Sequence, residues 1–168
     1  MKLIKIDKTR YRKHLNRVII ACILSLTVGS LGISQTLIVL FPSPDQSHFH
    51  WNLLGVMVSS VMIAVVLNKY RQHPFMKEVV YVWELKQALN LITRKMAKLK
   101  VAAQHGDYDA LQAINYSYAG SRQLWTLDDN TITMEELAMW QREIERLAEQ
   151  HNVILDQEAY DPKCLTRF

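Results

Sequence analysis

The sequence predicts an all-α protein: a two-helix transmembrane hairpin followed by a cytoplasmic antiparallel bundle of about three helices. Three observations carry this reading. The stretch Val18–Phe41, VIIACILSLTVGSLGISQTLIVLF, runs 24 residues without a charge. A second apolar run, Trp51–Leu67, follows after the nine-residue connector PSPDQSHFH. Beyond Phe75, apolar residues recur at alternating steps of three and four, the period of a helical seam.

The charge is divided as sharply as the hydropathy. Of 168 residues, the first 17 hold seven Lys or Arg against Asp7. Residues 18–67 hold Asp45 and no Lys or Arg, while residues 68–168 hold 13 basic and 14 acidic residues. The net charge of +4 and pI of 9.1 are therefore local to the N-terminal flank. That distribution reads as a membrane-orientation signal rather than a nucleic-acid surface.

A helix needs about 20 apolar residues to cross a bilayer, and Val18–Phe41 exceeds that. A soluble core helix would show a polar face, and a cleaved signal would have an apolar core of about 7–15 residues with a small-residue cleavage site. Neither is present. Ser25, Thr27, Ser30, Ser34, Gln35 and Thr36 are uncharged, and the hydroxyls can bond to their own helix. The run Trp51–Leu67 is short, but a short connector makes it the antiparallel neighbour of the first span. Trp51 and Tyr70 suit the headgroup zone at its two ends.

Orientation follows from the flanks. Lys2, Lys5, Lys8, Arg10, Arg12, Lys13 and Arg17 precede the first span, and Lys69, Arg71 and Lys77 follow the second. The connector has no basic residue, so it is expected outside and both termini in the cytoplasm. The expected organisation is a basic segment 1–17, span 18–41, external loop 42–50, span 51–70, cytoplasmic module 71–155 and a flexible tail 156–168. Small residues every fourth position are expected to pack the spans together: Ala21, Ser25 and Gly29 on one, Gly55 and Ser59 on the other, with Ser60 and Ala64 beside them. Pro74 either opens a new helix or kinks a continuing one.

In the module, Val82, Leu85, Leu89, Ile92, Met96, Leu99 and Ala103 form a heptad seam that ends at Gly106. A second helix, capped by Asp107 or Asp109, carries Tyr108, Leu111, Ile114, Tyr118, Ser121 and Trp125. After the turn LDDNT, Thr133 and Glu136 form a capping box for a third helix, with Leu137, Trp140, Ile144, Leu147, His151 and Ile154 in step. The first of these helices is longer than the second. Its membrane-proximal seam, Val79, Val82 and Leu85 and onward to Leu89 and Ile92, is therefore expected to serve a second copy or a protein partner.

Other motifs point away from chemistry. TLDDNTITMEEL has no carboxylate at the first positions of a calcium loop. His48 and His50 lack a third metal ligand beyond Asp45. Arg94, Lys95, Lys98 and Lys100 make a solvated helix end, and Trp83, Trp125 and Trp140 belong to the bundle core or its edge. Cys22 and Cys164 make no disulfide framework. No phosphate loop, nucleophile motif or intramembrane carboxylate pair occurs. Neither a cofactor nor a metal is expected, and no nucleic acid.

The stretches KIDKTRYRKHLNRV, SHFHWNLLGV and HPFMKEVVYVWELKQ resemble a family of small two-span bacterial inner-membrane proteins classed only as a domain of unknown function. The resemblance covers most of the chain and implies a bacterial inner membrane; it supplies no substrate and no catalytic residue. The residues and the resemblance together lead to the expectation of a non-catalytic membrane protein. Its hairpin, in the lipid bilayer, would anchor a helical interaction module that binds a protein partner or itself. A subunit of an oligomeric transporter or channel is the rival.

Overall fold

The computed structural model describes residues 2–42, 48–130 and 134–168. Among them there is no strand. Five α-helices run in order: α1 Lys8–Leu40, α2 Phe49–Lys69, α3 Lys77–Gln104, α4 Tyr108–Leu127 and α5 Met134–Gln150. They divide into two compact units. One is Thr9–Val80; the other joins Met1–Lys8 to Tyr81–Phe168.

The first unit is the hairpin. Helices α1 and α2 are each long and apolar enough to cross a membrane. At 33 residues, α1 is about 50 Å long, well beyond a hydrocarbon core of about 30 Å. Residues 8–17 of the basic segment are helical and continue without a break into the apolar run. They are held by a local cluster in which Arg10 lies 2.9 Å from Glu78 and the His14 ring packs tilted against Phe75 at 4.2 Å between ring centroids. The expected loop 42–50 is shorter on its far side, since α2 begins at Phe49; residues 43–47 lie outside the described residues. Pro74 opens a new element. Helix α2 ends at Lys69, and Pro74–Met76 is a 3-10 turn capped by His73, whose ring accepts from the Phe75 N–H at 3.2 Å. Proline fits there because its missing N–H would have had no helical partner.

The second unit is a bundle centred on α4. Eleven of the twenty residues of α4 are buried, on every side of the helix. Two of its neighbours are helices. Gly120 sits against α3, where an added Cβ would lie 3.0 Å from Leu89 Cδ2 and 3.2 Å from Leu85 Cδ1. Helix α5 packs along it as well, through Leu137, Ile144 and Ala148. Each helix of the bundle stops on a residue in the left-handed region: Gly106 at φ 79°, Asp129 at 58° and Asn152 at 54°. The N–H that follows each one reaches back five residues, Asp107 to Ala102, Asn130 to Trp125 and Val153 to Ala148, which satisfies carbonyls the helix leaves open. Asp107 then caps α4 by accepting from the Ala110 N–H at 3.0 Å. The capping box of α5 includes Thr133, outside the described residues. The third seam stops early: α5 ends at Gln150, and Ile154 is 85% exposed.

The tail is not loose. Residues Pro162–Arg167 form a 3-10 helix, and Tyr160, Cys164 and Leu165 are buried. No period announced this, because the segment packs through single anchors rather than a helical face.

Filling the α3–α4 contact tests its closeness. Gly120→Leu places a branched side chain against Leu85 and Leu89 and should destabilise the bundle by about 1–3 kcal/mol. A lowered Tm of the full-length protein in detergent, followed by far-UV circular dichroism, checks this; an unchanged Tm contradicts the packing.

Candidate functional site

The expected interaction seam is interior. Val82, Leu85, Leu89 and Ile92 are all buried within the chain, and Val79 is half-buried. The reason is the register of the α3–α4 turn. Gly106 and Asp107 reverse the chain in so few residues that α4 runs straight back along α3. Gly120 reaches Leu85 and Leu89, and Gln123 reaches Tyr81. Twenty residues then suffice to cover the proximal seam, and no stagger of α5 is needed. These four residues are bundle core rather than a surface for a partner.

The polar anchors of the bundle are elsewhere. Gln112 is 1% exposed, and its amide holds the segment that follows α5. Its Nε2 donates to the Ile154 carbonyl at 2.6 Å, and its Oε1 accepts from the Asp156 N–H at 2.9 Å. One turn further, Tyr116 stacks on Tyr160 with ring centroids 4.6 Å apart. The Tyr116 hydroxyl is buried without a hydrogen-bond partner among the described residues, and burial pushes its pKa up to about 12. Burial, then the nearby Asp109 and Asp161, also raises the Cys164 thiol, which favours its protonated form. At the end of the tail, Arg167 pairs with Asp107 at 3.2 Å and with Asp109, while Lys98 donates to the Phe168 carbonyl.

A second set of anchors binds residues 2–8 to the same unit. The Ile4 N–H donates to the Tyr81 hydroxyl at 2.9 Å, and the Tyr81 hydroxyl donates to Gln123 Oε1 at 3.2 Å. Gln123 Nε2 closes the ring by donating to the Ile4 carbonyl at 2.5 Å. Lys2 pairs with Glu158 at 2.6 Å, and Lys8 pairs with Asp129. Sequence reasoning missed both sets. Charge-free Ala110–Ser121 was the available signal for the first, since a helix apolar all round must be covered all round.

In the hairpin, the small residues divide. A Cβ on Gly55 would lie 2.6 Å from the Ser30 carbonyl oxygen, and one on Gly29 would lie 3.0 Å from Ser59 Oγ. Gly29, Gly55 and Ser59 therefore sit where the helices touch. Ala21 and Ser25 do not. They face a gap of about 550 Å³ whose opposite wall is Met62, Ile63, Val66 and Leu67. Close approach needs small residues on both helices, and here only one has them. Ser34, 2% exposed, donates to Asn52 Oδ1 across the hairpin, and Phe41 stacks on Trp51 at 5.7 Å. Thr27, Thr36 and Ser60 donate to carbonyls four residues earlier in their own helices. Among the described residues no group of three or more His, Cys, Asp and Glu side chains could hold a metal ion.

Fold and contacts together define an all-α protein that joins a hairpin of two long apolar helices to a helical bundle. Residues 1–165 match the family described as "Protein of unknown function (DUF3087)", and the chain belongs to that family. No curated protein and no solved structure matches it.

Two contacts here can be measured directly. Gln112→Ala leaves the Asp156 N–H and the Ile154 carbonyl without their partner, a loss of about 1–3 kcal/mol. With Cys22 replaced by Ala, Cys164 should then react with maleimide at least tenfold faster; an unchanged rate would show that the tail is held without Gln112. In the hairpin, Gly55→Ala should force the helices apart. Disulfide formation between Ser34→Cys and Asn52→Cys, with both native cysteines replaced, should fall sharply when Gly55→Ala is added.

Proposed function

We propose that this is a non-catalytic protein of a bacterial inner membrane, whose hairpin anchors a cytoplasmic helical module that binds another protein or a second copy. One observation carries the placement. Residues 2–8 and residues 81–168 fold as one unit, with both long apolar helices between them. Two pieces of one unit must share one side of a membrane, so the segment between them crosses an even number of times. This reasoning uses no charge, and the basic flanks then select the cytoplasmic side. The resemblance noted in the sequence supports the bacterial inner membrane.

The binding surface in this reading is the outer face of α3. Trp83, Leu91 and Val101 are each more than half exposed there. They share one side of the helix with Gln87, Arg94 and Lys98, opposite the buried seam. An exposed tryptophan with aliphatic and cationic neighbours has the composition of an interface centre.

The test is topological first. A reporter active only in the cytoplasm is fused after Phe168, and one active only outside is inserted within residues 43–49. Both should give signal. Purification in mild detergent should then yield a stable heteropartner or a dimer, lost on Leu91→Glu with helicity retained. A large ring of identical subunits would favour the oligomeric transporter or channel instead.

A further inference from the structure

Where residues 3–8 lie along α4, they leave a groove of about 560 Å³. That volume is in the range of small-molecule sites, about 300–1,000 Å³. Its charge is one-sided. Lys5, Lys8 and Arg122 line it, and no Asp or Glu does. Lys8 is neutralised by Asp129. Lys5 is not: its ammonium has no hydrogen bond or ion pair among the described residues. The Arg122 guanidinium donates to a neutral partner, Gln141 Oε1, and has no carboxylate. Gln157 adds an amide with no partner among the described residues. The apolar part of the wall is chiefly Leu3, Ile6 and Leu127, with the uncharged polar Gln123, Thr126 and Gln141 beside it.

An unpaired ammonium and an uncompensated guanidinium on one groove favour an anion. Arginine offers a planar fork of donors that matches phosphate oxygens, and lysine adds a compact point charge. Two cations suit a phosphate monoester, which carries close to two charges at neutral pH, better than a single carboxylate. The apolar wall suits a short hydrocarbon stem beside that charge. We propose that this groove binds an organic phosphate, with Lys5 and Arg122 on the phosphate and the stem against Leu3, Ile6 and Leu127. Such a group could come from a lipid headgroup or from a free solute; the chemistry is shared.

The test uses the full-length protein in phosphatidylcholine nanodiscs, titrated with hexyl phosphate by calorimetry. The expected result is saturable binding of one hexyl phosphate per chain, weakening as salt is added. Lys5→Gln and Arg122→Gln should each weaken it at least tenfold. Because Arg122→Gln also removes the contact to Gln141, Lys5→Gln is the deciding variant, with far-UV circular dichroism and Tm unchanged. Inorganic phosphate should bind at least tenfold more weakly than hexyl phosphate. Absence of saturable binding, or equal affinity in Lys5→Gln, overturns the site; equal affinity for inorganic phosphate overturns the apolar stem. Nanodiscs containing phosphatidic acid separate the sources. Loss of titratable sites there assigns a lipid headgroup, and a full complement assigns a free organic phosphate.

Discussion

Between Asp109 and Arg122 the chain runs twelve residues without a charge, and as a helix those residues point in every direction. A helix with no charge on any side is covered by protein on most of them. The rest of the bundle unit is arranged around that constraint. Helix α3 covers one flank through Leu85 and Leu89, close enough that a Cβ at position 120 would press on both leucines. Helix α5 covers another, and Tyr160 covers a third by stacking on Tyr116. Residues 2–8 approach near its C-terminal end through Gln123. Three helices alone would leave part of α4 wet. The two aperiodic ends of the unit complete the cover, which is why they are ordered.

Much of the architecture was legible in the sequence because it rests on periodicity. The two long apolar helices, the seam of α3 and the stops at Gly106 and Asp128–Asn130 follow from rules that act within a few residues. What failed was occupancy. The seam at Val82 and Leu85 was recognisable as apolar, but its partner depends on how tightly the chain turns at Gly106, and composition does not report that. The same holds for the tail. Gln112 holds Ile154 and Asp156 across more than forty residues of sequence, and a single buried amide has no pattern to detect. Ile154, at 85% exposure, shows the converse, an apolar residue that the local pattern alone would place inside.

The hairpin was legible in the same partial way. A stripe of small residues says where two helices could approach, and the crossing point then selects among them. Gly55 against the Ser30 carbonyl is backbone against backbone, which leaves no freedom for a larger residue. Ser34 and Asn52 add a polar contact between the two helices, with Ser34 buried. Toward Ala21 the opposing side chains are Met62, Ile63 and Val66, and the helices stand apart. The candidate groove beside Lys5 was the least legible feature of all. Its two walls come from segments 119 residues apart at Ile4 and Gln123.

That separation has a consequence for how the protein is made. Residues 2–8 are synthesised well ahead of their partner Gln123, which lies 119 residues after Ile4. At about 5–20 residues per second, the wait is about 6–24 seconds. Both long apolar helices are translated within it. The first segment must therefore stay uncommitted while the middle of the chain finds its place, and only then can the unit close around α4. Contacts of such long range form late and slowly. Closure of the ring Ile4–Tyr81–Gln123 thus comes only after everything between has been made, an ordering written into the chain.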